Sequence, residues 1–315
     1  MTLVLTHTHG DRVTLAHEAS GTELLAYVYK PEDPWEAPKP YLHPLRTLSG
    51  ALVTDYRPND HRWHKGLQLT ASHLSGQNLW GGNTYVHGEG YLALPERVGS
   101  MAHTGFGTVR AEGDRALIEE TLTWHPHDTA VHWADERRRI EVAAGTDCWS
   151  LTWTSAVTNR HSEPLRFGSP TTHGRPDAGY TGLFWRGPRA FRGGETFTAE
   201  SPAAATSGDE DGDRDLMGTQ SDWLAYTGEH DGRDGHATLV FAHAPGNDHR
   251  GEAGTHPAHW FVRSEPFAAV APSWAFHEEL VLAPGDSFAR TYRVTVADGR
   301  WDRDRVLAHF EEQPW

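Results

Sequence analysis

The sequence predicts an all-β protein, a large antiparallel β-supersandwich with few short helices. Three observations carry this expectation. Apolar and polar residues alternate with period two along much of the chain, 32 glycines and 19 prolines punctuate it throughout, and only one segment has a clear helix start. At 315 residues the chain can bury a substantial core. No tandem repeat or linker-like change of composition divides it, so residues 1–315 are read as a single domain.

The elements follow in order. "RVTLAHEASGTELLAYVYKP" reads as two strands around a turn at Glu18–Gly21. "ALIEETLTWH" (116–125) and residues 137–159 continue the pattern. In the latter, Trp149, Leu151, Trp153, Ser155 and Val157 share one face, while Ser150, Thr152 and Thr154 share the other. Further strands are expected in 237–245, 259–272 and 287–299, and a helix after Asp302, an N-cap before "RDRVLAHFEEQ". The acidic stretch 201–215 has aspartates at 209, 211, 213 and 215, but it lacks the distal glutamate of a calcium loop and reads as solvated surface.

A formal net charge of −15 argues against nucleic acid or an anionic membrane as partner. No apolar run is long enough to span a bilayer, and no signal peptide is read at the N-terminus, so a soluble, cytoplasmic protein is expected. The single cysteine, Cys148, excludes an intrachain disulfide and reads as a buried, inert thiol. No P-loop, dinucleotide fingerprint or nucleophile elbow is present.

Four stretches hold more polar and aromatic chemistry than a core needs: 41–66, 78–88, 168–189 and 247–267, the last followed by "PSWAFHEEL". Within them, His43, His61 and His64, with Asp60, could supply metal ligands, although Arg57, Arg62 and Lys65 would repel a dication and "HRWH" is no helical zinc motif. The plainer alternative is that these histidines satisfy buried carbonyls. The same residues also suit a hydroxyl- or anion-binding surface: guanidinium forks for carboxylates and vicinal hydroxyls, imidazoles for proton transfer, indoles for the C–H face of a sugar ring. Glu278 and Glu279, adjacent on a strand, would face opposite ways, so at most one points into a site.

The runs "PYLHPLRTLSGALVTDYRPNDHRWHKGLQL", "NLWGG", "GRPDAGYTGLFWRGPRAF", "HPAHWFVRSEPF" and "LAPGDSFARTYRV" together resemble a bacterial family of unknown function labelled methane oxygenase PmoA. Nothing here could span a bilayer, so neither methane oxidation nor copper is carried over. The ending "LVLAPGDSFARTYRV", with Asp286 in the turn and Tyr292 in the last strand, is more distantly similar to galactose-mutarotase-like proteins. That resemblance implies a supersandwich whose concave face binds sugars and whose mutarotases use a histidine acid and a glutamate base.

The expected function is therefore a carbohydrate-active protein that binds a sugar or sugar-derived acid, with acid–base chemistry of the epimerase, lyase or hydrolase type. His61 or His64 would be the acid and Asp60 or Glu279 the base. His43, Arg46, Arg57, Asn78, Trp80, His87, His173, Arg175, Trp185 and Arg186 would bind substrate. No cofactor is expected; the alternatives are a metal-dependent enzyme using His43, His61 and His64, and a non-catalytic sugar-binding protein.

Overall fold

The computed structural model describes residues 2–127, 129–201 and 215–315. The stretch 201–215, read above as acidic surface, lies outside the described residues except for its two ends. Two eight-stranded antiparallel sheets form the body. The first runs, in spatial order, Leu3–Thr8, Arg12–His17, Glu23–Val28, Tyr41–Leu45, Leu67–Thr70, Gly182–Arg186, Ala269–Ser273 and His259–Arg263. The second runs Glu195–Thr198, Trp223–Glu229, His236–His243, Ser287–Asp298, Cys148–Asn159, Ala134–Ala144, Arg115–His125 and Ser100–Glu112. The expected all-β sandwich is thus the observed architecture, with short 3-10 turns and the C-terminal helix Arg303–Glu312 as helical elements. Asp302 caps that helix, accepting from the Arg305 amide at 2.8 Å. Among the described residues, no helix is long and apolar enough to cross a membrane.

Strand alternation decides what each sheet buries. Trp149, Leu151, Trp153 and Val157 are fully buried, as their shared parity requires, and they meet Leu25, Tyr27, Leu67, Leu69 and Trp185 of the first sheet in one core. The opposite parity is less exposed than the sequence suggests. Ser150 is buried as well, sharing a 2.8 Å hydrogen bond with Thr295, because Val306 and His309 of the terminal helix cover that face of the second sheet. Cys148 lies in the same cluster, and burial pushes its thiol up to about 12, in keeping with an inert role.

One polar network crosses the core. The fully buried Arg138 guanidinium donates from Nε (2.8 Å) and Nη2 (2.9 Å) to the two oxygens of Glu136, and from Nη1 (2.9 Å) to the Tyr27 hydroxyl on the facing sheet. Glu136 also accepts from Trp124 Nε1 and Ser155 Oγ, and Glu120 accepts from the Tyr27 hydroxyl and is hydrogen-bonded to His103. Every member is held on several sides, which is the condition for burying charge without a large penalty.

Two predictions follow from this interior. Replacing Arg138 with Ala leaves Glu120 and Glu136 buried without their cation; denaturant unfolding should register a loss of about 3–5 kcal/mol. Burial also depresses several imidazoles, His43 and His259 to about 4 and His73 to about 3. Between those values and the ordinary 6.5, the unfolded chain binds protons that the folded chain refuses. Their contribution to stability is therefore complete above about pH 6.5 and lost progressively as pH falls toward 4. Thermal unfolding across pH 7.5 to 4.5 should show a falling midpoint; a midpoint that stayed flat or rose would contradict the assignment.

Candidate functional site

A cavity of about 400 Å³ opens on the face of the first sheet turned away from the core. Period-two alternation again sets the walls. On strand Gly182–Arg186, Leu183 and Trp185 enter the core, while Phe184 and Arg186 face outward. On strand His259–Arg263, Trp260 and Val262 point inward, while Phe261 and Arg263 line the cavity. Trp80, Phe184 and Phe261, with Tyr180, Trp63 and Phe267 packed against them, form an aromatic cluster separate from the main core. All four polar stretches contribute to the lining: Asp60, His61, Trp63 and His64; Trp80 and Asn83; Arg175, Tyr180 and Phe184; Phe261, Arg263, Pro266 and Phe267.

The segment carrying Asp60, His61 and His64 is a closed arc. Tyr56 and Lys65 bridge its stems, and the amides of His61 and His64 donate to the carbonyls of Pro58 and His61 in two successive turns. A single buried carboxylate pins both stems. Glu36 accepts from Arg57 Nε (2.9 Å) and Nη2 (2.6 Å) and lies 2.7 Å from Lys65 Nζ. Burial alone would raise the Glu36 carboxyl, but these two cations outweigh it and hold it below the usual carboxylate range. Buried Lys39 links this arc to the next, donating to the carbonyls of Ala37 (3.0 Å) and Trp80 (2.8 Å).

The second arc, 78–84, is built by Asn78, whose side-chain oxygen accepts from the amides of Trp80 and Gly81, both at 2.9 Å. Gly82 has φ +64°, and a Cβ there would fall 2.3 Å from the Trp63 ring. The glycine thus lets this arc lie flat on Trp63.

Within the cavity, His61 Nδ1 stands 3.0 Å from Asp60 Oδ2. Partial burial works against the Asp60 charge, yet the hydrogen bond from His61, its own backbone amide and nearby Arg186 keep its carboxyl below the ordinary range. An ionised carboxylate only accepts, so Nδ1 carries the hydrogen and a neutral His61 keeps its lone pair on Nε2. Burial, together with Arg186 and Arg263, lowers the His61 imidazole from its usual value against the pull of Asp60, so it is neutral at pH 7. A third of its side-chain surface remains open.

His64 stacks on His61 with ring centroids 4.7 Å apart, but its environment differs. Arg186 Nη1 donates to His64 Nδ1 at 2.8 Å, and burial pushes the His64 imidazole far below its usual value. His64 is therefore neutral with its hydrogen on Nε2, packed between Trp80 and Phe184. Arg186 itself lies behind the wall, its guanidinium 4.0 Å from the Phe267 centroid and 4.0 Å from Asp60.

Several expected site residues lie elsewhere. Trp185 is a core residue, fully buried against Tyr226 and Phe241, because adjacent residues on a strand cannot share a face with Arg186. His43 is bonded to Thr54 and stacked on Tyr56. Arg46 donates to the carbonyl of Gly50 within a turn, and Arg57 is committed to Glu36. Asn78 builds the turn rather than facing the cavity. His87 bonds the His173 carbonyl, while the His173 ring stacks on His73 at 4.0 Å. Glu279 pairs with Arg166 at 3.4 Å and flanks Gly168 beside His173, outside the cavity lining. Glu278 lines a different, smaller cavity with His256, His259 and His277.

The metal donor set that His43, His61 and His64 would form in the alternative reading is not assembled among the described residues. His43 is engaged away from the other two, and a guanidinium occupies one nitrogen of His64. Among the described residues, no group of three or more His, Cys, Asp or Glu is placed to hold a metal ion. Sequence reasoning missed Trp63, Asn83, Tyr91, Tyr180, Phe184, Phe261, Arg263, Pro266 and Phe267 as lining residues. Strand parity anchored on the inward tryptophans Trp185 and Trp260 could have found Phe184, Phe261 and Arg263.

No curated protein matches the sequence. Among solved structures, the chain is similar to the GH36 alpha-galactosidase AgaB from Geobacillus stearothermophilus, with 13% identity, 94% of this chain and 41% of that one covered, and a TM-score of 0.45. It is also similar to a galactose mutarotase-like protein from Clostridium acetobutylicum, with 8% identity, coverage of 94% and 99%, and a TM-score of 0.41. The chain spans well under half the length of the alpha-galactosidase. The family match does not bring the methane-oxygenase label that the sequence resemblance carried. That match covers residues 14–311, and the chain accordingly belongs to the family of unknown function DUF6807.

Proposed function

We propose that the chain binds a sugar or sugar-derived acid in this cavity and moves a proton on it, chemistry of the epimerase, lyase or hydrolase type. The observation that carries the reading is the Asp60–His61 pair opening onto an aromatic-floored cavity. Aromatic faces suit the C–H face of a sugar ring, and the edge of the site offers Asn83, Tyr91 and the guanidiniums of Arg175 and Arg263 to its polar groups.

In this reading His61 is the group that takes and returns the proton. Neutral at pH 7, it receives a proton on Nε2 and becomes an imidazolium stabilised by Asp60; it then returns that proton to the substrate or leaving group. Asp60 is a positioning residue that fixes the tautomer. His64, uncharged and enclosed, is also a positioning residue, holding Arg186 against the wall. The base role expected for Glu279 passes to His61, because Glu279 is paired with Arg166 away from the cavity.

Substituting His61→Ala should reduce turnover by about 10²–10⁴-fold while leaving the thermal unfolding midpoint within a degree or two of the parent. Turnover at the parental level would end the assignment. Asp60→Asn removes the charge that raises the His61 imidazole, so the acid limb of the pH–rate profile should move to lower pH. Binding of sugars without any chemical change in them, followed by NMR, would instead favour a non-catalytic binding protein.

A further inference from the structure

Several arginines elsewhere in the molecule meet carboxylates closely: Arg57 reaches Glu36 at 2.6 Å, Arg139 reaches Glu119 at 2.6 Å, and Arg160 reaches Asp135 at 2.6 Å. In a chain of formal net charge −15, acidic partners are plentiful. Two arginines lining the cavity have none. Among the described residues, neither Arg175 nor Arg263 forms an ion pair with a carboxylate.

Arg263 is part-buried, its guanidinium 5.5 Å from the Phe261 centroid, and it donates to the main-chain carbonyl of Asp177 at 3.3 Å. The Asp177 carboxylate acts on it from beyond ion-pair distance. Arg175 lies over the Tyr91 ring at 4.8 Å and donates to the Tyr91 hydroxyl, which is in turn 2.6 Å from the Tyr180 hydroxyl. The two guanidiniums repel one another: burial first, then Arg175, lowers the Arg263 guanidinium from its ordinary value. Among the described residues, the one carboxylate in the lining, Asp60, is already engaged by His61 and approached by Arg186. Holding two like charges on an aromatic wall, partly out of water and without a counter-ion, is costly unless an anion completes the site.

Resting on the carbohydrate reading above, we infer that the sugar carries an anionic group, gripped between Arg175 and Arg263 while its ring lies on the aromatic floor. The planar fork of a guanidinium matches the two oxygens of a carboxylate, so sugar acids fit this grip directly; a sugar phosphate offers the same charge with a different shape. Selection against neutral sugars follows, because a neutral ligand would leave both cations unpaired.

The test is calorimetric titration with ligands alike except at one carbon: galactose against galacturonate, and glucose against glucuronate and glucose 6-phosphate. The acids should bind at least about tenfold more tightly than the neutral sugars, with the preference shrinking as salt is added. Arg263→Gln and Arg175→Gln should each remove most of that preference, the affinity for the acids falling toward that for the neutral sugars. If the phosphate binds more tightly than either uronate, the anionic grip stands and its partner is a phosphate. Equal binding of neutral and acidic sugars would overturn the inference and leave the carbohydrate reading in place. Binding by none of these sugars would overturn both.

Discussion

The carboxylate of Glu36 receives a guanidinium from one stem of the 57–65 arc and an ammonium from the other, so the geometry of the whole arc is set from a single buried point. Asp60, His61, Trp63 and His64 ride on that arc, and Arg186 and the aromatic cluster hold its inner side. The neighbouring arc is tied to the same place, because Lys39, enclosed beside Glu36, donates to the Trp80 carbonyl. A buried ion cluster of this kind is a weak source of net stability, since desolvation offsets most of the attraction. Its effect here is geometric: two loops are fixed relative to one another and to the sheet below.

The sheet supplies the other half of the arrangement. A sandwich has two inner faces, and both are consumed by the core, where tryptophans of the second sheet meet leucines of the first. The outer face of the second sheet is partly covered by the terminal helix. The outer face of the first sheet is instead carpeted with Phe184, Phe261, Ala269 and Ala271 and capped by the two arcs, so its apolar surface becomes the floor of a cavity. The small alanines leave room for the large rings around them. The charged network around Arg138 sits on the opposite side of this sheet, in the core, and takes no part in the cavity.

Much of this was legible in the sequence. Strand alternation is a local property, and the run from Trp149 to Val157 states it without ambiguity; the same holds for the Asp302 cap. The four polar stretches do converge on one cavity, because residues that no core would accept must gather somewhere on the surface. Membership within each stretch was legible only in part. Arg57 and Asn78 look like ligand-binding groups by type, yet each is spent on shaping its own loop. Trp185 and Arg186 were expected in the site together, and the parity of a strand forbids it. Phe267 and Pro266 carry no polar signal, and Tyr91 and Glu36 stand outside every stretch that drew attention. What a side chain faces depends on partners distant in sequence, which composition does not report.

The strand order has a consequence for how the site comes into being during synthesis. Strand Ala269–Ser273 lies between Gly182–Arg186 and His259–Arg263, and the cavity floor is laid across all three. A ribosome-bound chain that has not yet released Ser273 therefore holds the Asp60–His61 arc over an incomplete floor, with the Phe184 strand made and the Phe261 strand not yet joined to it. The residues made first wait for those made last, and the cavity arises late, as a whole, when the middle of the first sheet closes.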